Sequence, residues 1–504
     1  MSDQRIGTSA QLLATLYTDI HPPLFVLFMH YWNSLFGDGE VAMRIPAMIS
    51  GLLCIPLTYW VGSRLTSKTA AMIAAALLAI SPVHVWYCAE ARLYAPMVTT
   101  TLIAFGCIDR LTDPLSPHRR GLLWLCALNM AVMLSLHFYL AVIVATLAAV
   151  APILAGGITP TVRKVLWSHG AGLVLLAAFV FAKMQIGEFE TSQDYLRAFS
   201  AGELFSFLFD WSWSGSTLPS SEHALVRGLG VGFVWLGVGL TALGLIHTLT
   251  NLKQKPRSLL VLVGVGLLPC FMFALVLTGY ANTYIERSLI PALPFVFLLA
   301  AVGLRALPGT VRLVTTAGTF ALASLALLTL YSSFATKFTL YKPHPDWRSA
   351  ARYLGQQIDA GHAGMPVYTS FPNPRSLSYY DARIQDERNL QIDLSPEEIG
   401  CKVSQRLGSW LGHLAIASLK EFTQHNRRLL SDAQLVVRRC QPDPDSLDWP
   451  SDRTDNLCFV IRNEWHPNIR VDGSVEELLA HPRTSILHAE RFEGVTIYEL
   501  RILK

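Results

Sequence analysis

The first two thirds of the chain alternates long apolar stretches with short polar segments. Ten of these stretches approach the roughly 20 residues that a helix needs to cross the hydrocarbon core of a bilayer. They cover residues 41–62, 69–84, 94–109, 121–136, 138–154, 165–182, 230–250, 258–278, 289–304 and 313–334. The pattern therefore predicts ten membrane-spanning helices, and the shorter ones should extend into the adjoining loops.

The last third of the chain has a different pattern, because short alternating runs replace the long apolar ones. Asp346 is placed to cap a helix that ends near Gln357, with Ala350, Ala351 and Leu354 on one face. Strand-like runs follow at residues 366–369, 435–437, 457–461 and 495–502, with helical stretches near 419–430 and 474–479. We predict a soluble α/β domain over residues 335–504.

Composition narrows the class of protein. Hydrophobic residues make up 52% of the 504 residues and charged residues 15%, and 43 of the 76 charged residues lie in residues 335–504. This balance excludes a disordered chain and an ordinary soluble enzyme. The net charge of +4 is too small to indicate nucleic-acid binding. The predicted fold class is a polytopic α-helical membrane protein with a C-terminal soluble α/β domain.

The basic residues of the short loops predict the orientation in the membrane. One alternate set of loops, which includes Arg64, Arg110 and Arg257, holds twelve Lys and Arg residues with two acids. The other set holds five Lys and Arg residues with eight acids. Because Lys and Arg are enriched in cytoplasmic loops, the first set is predicted to be cytoplasmic. The loops with Glu90 and Arg287 and the whole tail are then extracytoplasmic.

The start of the chain must fit this orientation. An even number of crossings that ends outside also begins outside, so residues 1–40 are predicted to be an external loop that precedes the transmembrane domain at 41–334. The run at residues 22–36 is too short to span and should lie along the interface as a helix. We expect one more helix before residue 1 in the natural protein, because this outer N-terminus must be exported.

Three groups of polar residues near the ends of the spans are candidates for chemistry. Glu90 and Arg92 lie between two spans, either as a local ion pair or as a substrate-binding or catalytic pair that faces an outer cleft. Asp19 is either a helix cap or, with His21, part of a site at the helix N-terminus. Arg287 either extends to the interface as a structural residue or binds a lipid phosphate. Trp211 and Trp213 suit either a sugar platform or the membrane interface.

Several motifs occur together in an order typical of one family. They are Asp19-Ile20-His21-Pro22-Pro23-Leu24, Leu35-Phe36-Gly37-Asp38, Arg44-Ile45-Pro46, Trp86-Tyr87, Glu90-Ala91-Arg92-Leu93-Tyr94-Ala95, Arg287 to Pro294, and Pro345-Asp346-Trp347-Arg348. With them the sequence resembles the membrane glycosyltransferases of family 39 type, which include protein O-mannosyltransferases and bacterial relatives such as the lipid A aminoarabinose transferase. The resemblance covers residues 19 to about 354.

The resemblance implies a GT-C fold with its active site on the outer face of the bacterial inner membrane. It implies transfer of a sugar from a polyprenyl-phosphate donor to an envelope acceptor, which is a protein, a lipid or a glycan. Asp19 and Glu90 would be catalytic, and the substrate-binding residues would be His21, Arg44, Arg92, Tyr94 and Arg287. We expect no metal and no cofactor, because arginines can compensate the charge of a lipid monophosphate.

One departure from the family pattern leaves alternatives open. Family members usually carry an acidic pair twenty or more residues before the His-Pro-Pro stretch, whereas here that stretch begins near residue 20. A truncated start, which we favour, or a catalytically inactive homologue would explain this. A transporter or flippase for a lipid-linked sugar is the rival from another class, but no inverted repeat supports it.

Overall fold

The computed structural model describes two compact units. The described residues are 22–116, 119–186, 197–219, 221, 223–278, 282–284, 286–330, 346–369, 377, 380–386, 420, 433, 435–439, 457–463, 474–492 and 495–503. Internal contacts separate a helical unit within Asp19–Thr339 from a C-terminal unit within Leu340–Lys504. The predicted boundaries at residues 40 and 335 stay predictions.

The helical unit is a bundle of long apolar helices. They are Leu24–Phe36, Glu40–Leu65, Lys68–Ala79, Pro82–Ala89, Tyr94–Leu111, Arg119–Leu136, Tyr139–Ala155, Pro160–Ile186, Ala224–Thr250, Leu259–Leu277, Leu293–Ala306 and Gly309–Leu330. Between them, residues 201–214 form short α-helical turns around a π-helix at Ser206–Trp211. A 3-10 helix at Glu286–Ala292 leads into Leu293–Ala306. The prediction of a polytopic helical protein is therefore confirmed.

Each of the ten predicted stretches is largely helical, but not every helix qualifies as a span. Seven described helices are long and apolar enough to cross a membrane, and a bent pair raises the number to eight. Tyr94–Leu111 is not among them, and Tyr139–Ala155 has only 17 residues. Ten crossings therefore remain a prediction. Leu24–Phe36 is a 13-residue helix, as expected for the run at 22–36, while its position in the interface also stays a prediction.

A break within one predicted span shapes one end of the bundle. The stretch at 69–84 is not one helix, since Lys68–Ala79 and Pro82–Ala89 meet at an angle of 57°. Ser81 caps the second helix by accepting a hydrogen bond from the His84 backbone nitrogen at 3.4 Å, with Pro82 in the first turn. A proline with a serine before it favours a new helix start over continuation. The second helix ends at Ala89 and presents Glu90 at the bundle end.

The helix Leu293–Ala306 forms the buried centre of the bundle. Eleven of its fourteen residues are buried. It lies directly against Ala224–Thr250, where Gly244 and Gly303 leave no room for a side chain between the two backbones. Small residues permit this close approach of helices in apolar surroundings. The central helix thus holds the segment that precedes it, including Arg287, in a fixed place.

Ion pairs link three segments at the end of the bundle opposite Glu90. Asp109, which is 1% exposed, accepts from Arg64 and from Arg257 Nη1, the latter at 2.6 Å. Asp113 receives the second nitrogens of both guanidiniums, at 3.2 Å from Arg64 Nη2 and 3.4 Å from Arg257 Nη2. The loops with the most Lys and Arg therefore meet at one end, as the alternation of loops predicted.

The C-terminal unit contains a six-stranded mixed sheet. Its strand order is Ile384–Asp386, Leu435–Arg439, Val367–Thr369, Leu457–Asn463, Val495–Ile502 and Thr484–Phe492. The first four strands are parallel and the last two pair antiparallel. The helix Trp347–Gln357 covers one face with Ala350, Ala351 and Leu354, and Ser474–Ala480 covers the other with Val475 and Leu478.

The α/β domain predicted from the sequence is confirmed. Asp346 caps its helix as predicted, since its Oδ1 accepts from the Ser349 backbone nitrogen at 3.0 Å. The four predicted strands are present, whereas Ile384–Asp386 and Thr484–Phe492 were missed. The latter is an edge strand that exposes Ile486 and Leu487, so it lacks a clean apolar alternation. Of the predicted helical stretch near 419–430, only Lys420 lies within the described residues.

Candidate functional site

Glu90 and Arg92 lie in a tight turn between two helices. The turn follows Pro82–Ala89 and precedes Tyr94–Leu111, and the Arg92 backbone nitrogen donates to the Glu90 carbonyl at 2.7 Å. Arg92 Nε lies 3.8 Å from Glu90 Oε1, and the two side chains are 44% and 31% exposed. An ion pair this long and open contributes little to stability.

The second carboxylate oxygen of Glu90 is in a different environment. Glu90 Oε2 is buried and accepts no hydrogen bond from any residue that the structure describes. A buried carboxylate oxygen without a donor is costly and tends to occur where a ligand or a proton supplies the partner. Glu90 thus combines an exposed oxygen near Arg92 with a buried oxygen that is available to accept a proton.

Arg287 joins this turn from a distant part of the chain. Its guanidinium carbon lies 5.5 Å from the centre of the Tyr94 ring. Tyr87 packs edge-on against the same ring, with the centroids 5.0 Å apart. Glu90, Arg92 and Arg287 thus lie in one cluster with the Tyr87–Tyr94 pair, since Arg92 approaches Glu90 and Arg287 lies over Tyr94. One carboxylate with two guanidiniums gives this cluster a positive excess that suits an anionic ligand.

The structure brings four of the seven predicted site residues together, namely Glu90, Arg92, Tyr94 and Arg287. Arg44 lies near the start of Glu40–Leu65, with Nη2 4.0 Å from Glu40 Oε2. Seven residues further along that helix, and so on the same face, Gly51 packs against Cys88. Arg44 therefore projects from the face that meets the helix before Glu90. Asp19 and His21 lie outside the described residues.

Trp211 packs against Tyr87 of the aromatic pair, a contact that the sequence did not predict. Its ring centroid is 6.1 Å from that of Tyr87, and both Trp211 and Trp213 are buried, at 0% and 1% exposure. A sugar platform or an interface anchor would expose the indole, so both expectations for these two residues are wrong. The contact joins residues more than a hundred positions apart, and no local pattern in the sequence indicates it.

Asp210, next to Trp211, carries a further buried carboxylate. Ser214 donates to Asp210 Oδ1 at 2.8 Å and Ser216 donates to Oδ2 at 3.0 Å. Burial raises the pKa of Asp210, and the two hydroxyl donors oppose that shift. Ser216 has a φ of 58°, the left-handed region that a serine seldom occupies. This loop thus keeps a fixed shape beside the aromatic pair.

The described residues contain no group of three or more His, Cys, Asp or Glu side chains placed to hold a metal ion. At the end of the bundle with Glu90, the groups able to bind a ligand are two arginines, one carboxylate and the aromatic pair. Such a set can bind a phosphate through guanidinium forks and take up a proton at the carboxylate.

Known proteins resemble this chain in sequence and in fold. The family model for dolichyl-phosphate-mannose-protein mannosyltransferase matches residues 20–182, a region that contains Glu90, Arg92 and Tyr94. No curated protein sequence matches the chain. The crystal structure of ArnT from Cupriavidus metallidurans in the apo state superposes with a TM-score of 0.51 at 14% identity, covering 99% of this chain and 93% of that chain.

The same ArnT bound to undecaprenyl phosphate gives a TM-score of 0.51 at 13% identity, with the same coverage. The Archaeoglobus fulgidus oligosaccharyltransferase in the apo form matches with a TM-score of 0.40 at 11% identity, over 77% of this chain and 60% of that chain. The chain has the GT-C fold, and the resemblance to the glycosyltransferases of family 39 type is confirmed.

Proposed function

We propose that the chain is an integral-membrane glycosyltransferase that moves a sugar from a polyprenyl-phosphate donor to an envelope acceptor. The observation that carries this proposal is the convergence of Glu90, Arg92 and Arg287 on the Tyr87–Tyr94 pair at one end of a GT-C bundle. The ArnT structure that matches this fold was determined with undecaprenyl phosphate, which supports a lipid-phosphate donor here.

The two arginines bind the donor phosphate. Guanidinium groups form paired hydrogen bonds with phosphate oxygens and keep their charge at every physiological pH. The phosphate gains negative charge when the glycosidic bond breaks, so the arginines stabilise the transition state more than the bound donor. Tyr94 fixes Arg287 in place through its ring, because the cation lies over the electron-rich face. Arg44 and His21 contact the donor or the acceptor from the preceding segments.

Glu90 handles the proton of the acceptor. The acceptor hydroxyl oxygen attacks the anomeric carbon, the bond between that carbon and the phosphate oxygen breaks, and its electron pair leaves with the phosphate. The hydroxyl proton passes to a carboxylate, for which Glu90 Oε2 is free to accept. General-base help of this kind contributes about 10²–10⁴-fold. By the family resemblance, Asp19 is a second carboxylate that takes part in the reaction.

The site faces outward in this proposal. The opposite end of the bundle contains the Asp109 network and the loops richest in Lys and Arg, which are typical of the cytoplasmic side. Glu90 then lies on the extracytoplasmic side of a bacterial inner membrane, together with the C-terminal domain. A polyprenyl chain in the outer leaflet reaches such a site without crossing the bilayer.

A donor panel tests the proposal. Membranes that contain the full chain are incubated with polyprenyl phosphates bearing different labelled monosaccharides and with an envelope extract, and the label in the acceptor fraction is counted. We expect one donor to give transfer above membranes without the chain. If no lipid-linked sugar supports transfer, and the same label instead moves between the leaflets of sealed vesicles, the transporter explanation replaces this one.

A further inference from the structure

The C-terminal unit contains a second polar cleft. Its volume is about 330 Å³, and its walls include Arg348, Arg352, Gln356, Tyr380, Asp381 and Arg383. A cleft of this size accommodates a small ligand such as a monosaccharide with one substituent. Nothing in the proposed transfer reaction uses these side chains.

One wall of the cleft is fixed by ion pairs. Arg383 Nη2 donates to Asp381 Oδ2 at 2.7 Å, and Arg383 Nη1 donates to Asp359 Oδ1 at 2.7 Å. Gly355 makes this arrangement possible, because a Cβ there would lie only 2.7 Å from Asp381 Oδ2. Two carboxylates pair with Arg383, so this wall offers a rigid set of donors and acceptors with one net negative charge.

The other wall supplies the excess positive charge. Arg348 and Arg352 lie one helical turn apart on Trp347–Gln357, and the Arg348 guanidinium carbon is 5.7 Å from the centre of the Tyr380 ring. Arg352 is exposed and has no hydrogen-bond or ion-pair partner among the described residues. Three arginines against two aspartates leave the cleft with one net positive charge.

We propose that this cleft binds an acidic saccharide, one that carries a carboxylate or a phosphate. Tyr380 offers an aromatic face, while Gln356 and the Asp381–Arg383 pair offer the planar donors and acceptors that match neighbouring sugar hydroxyls. Arg352 and Arg348 bind the acidic substituent through charge-assisted hydrogen bonds. The full chain thus carries a saccharide-binding site in addition to the proposed transfer site.

Binding can be measured without any transfer reaction. The full chain in nanodiscs is titrated with glucose 6-phosphate, glucuronate, glucose and inorganic phosphate, and saturation-transfer NMR of each probe reports binding. The test variants are Arg352→Gln and Gln356→Ala, and Arg491→Gln is the control because Arg491 is an exposed arginine on the strand Thr484–Phe492 of the same domain, outside the cleft. Glu90→Gln serves as a second control, since it alters only the proposed transfer site.

We expect at least one acidic sugar to bind, with glucose and inorganic phosphate each weaker. Loss of one charge-assisted hydrogen bond in Arg352→Gln should weaken the acidic sugar about tenfold. Arg491→Gln and Glu90→Gln should bind like the unmodified chain. The proposal is overturned if no acidic sugar binds, if inorganic phosphate binds as well as the sugars, or if Arg352→Gln and Gln356→Ala leave binding unchanged. Loss of binding in Glu90→Gln alone would place the ligand in the transfer site and also overturn it.

Discussion

Arg287 lies over the ring of Tyr94, with 5.5 Å between the guanidinium carbon and the ring centre, although 192 residues separate the two in the sequence. The ring also packs edge-on against Tyr87, which rests on the buried Trp211. A stack of aromatic residues therefore positions a cation at the start of the helix that follows the Glu90–Arg92 turn. Residues from two distant segments of the sequence thus form one site.

The contact between Arg287 and Tyr94 predicts a graded set of activities. Arg287→Gln should lower transfer from the lipid donor about 10²–10³-fold, because it removes a charge that stabilises the departing phosphate. Arg287→Lys should recover part of that loss, and Tyr94→Phe should retain most activity since the ring and not the hydroxyl faces the cation. Initial rates in membranes with equal amounts of each variant measure the effect. Arg227→Gln, an arginine bonded to the Ser221 carbonyl, is the control and should behave as the unmodified chain.

The Asp109 network predicts a large effect on stability. Asp109 is 1% exposed and pairs with two arginines, so Asp109→Asn leaves two guanidiniums poorly compensated and should cost about 3–5 kcal/mol. Asp113 is 24% exposed, and Asp113→Asn should cost no more than about 1 kcal/mol. Thermal unfolding of the detergent-solubilised protein compares the two. Equal losses would show that burial at Asp109 does not strengthen the network.

Asp210 predicts a pH dependence of stability with a definite sign. Because burial raises the pKa of Asp210, the folded protein takes up this proton at a higher pH than the unfolded chain does. The contribution of Asp210 to the free energy of unfolding therefore increases as the pH falls through the raised pKa. It levels off at about pH 4, where the unfolded chain also binds the proton. The stability of the unmodified chain relative to Asp210→Asn should thus rise between pH 7 and pH 4.5.

Asp113 provides the opposite control for this measurement. Burial alone would raise the pKa of Asp113, but the Leu115 backbone nitrogen and the guanidiniums of Arg257 and Arg64 outweigh it and lower that pKa. Its contribution is present above the ordinary aspartate pKa and declines as the pH falls. Relative to Asp113→Asn, the unmodified chain should therefore lose stability on acidification. The same sign for both variants would contradict the assignment at one of the two sites.

Sidedness is a separate prediction. Alkaline phosphatase fused after residue 92 should be active, because it is exported, and the same reporter fused after residue 115 should be inactive. A green fluorescent protein fused at each position should give the reverse pattern. An active phosphatase at residue 115 together with an inactive one at residue 92 would invert the topology and place Glu90 in the cytosol.

The sequence predicts the helices well because each requires only a local run of apolar residues. The break between Ala79 and Pro82 was hidden within one apolar stretch, although Ser81-Pro82 is a known helix start. The strand Thr484–Phe492 was missed because its pairing with Val495–Ile502 and not its own pattern holds it in the sheet. A local pattern of apolar residues thus predicts only those helices and strands whose own side chains are buried.

For the site, the sequence indicated Glu90 and Arg92 through the scarcity of charge near the spans. The family resemblance assigned Arg287 to the same substrate, and the structure places Arg287 over the ring of Tyr94, at the start of the helix that follows Glu90 and Arg92. The support from Trp211 depends on packing between distant segments, which no local signal encodes. The roles of Asp19 and His21 rest on the motif alone, since both lie outside the described residues.

We propose that Glu90 acts in sugar transfer from a polyprenyl phosphate. The most direct measurement compares initial transfer rates of the full chain, Glu90→Gln and the control Glu203→Gln, at equal membrane levels and with the donor selected from the panel. We predict that Glu90→Gln lowers the initial transfer rate about 10²-fold or more, while Glu203→Gln leaves this rate unchanged. Transfer by Glu90→Gln at the rate of the unmodified chain would contradict it.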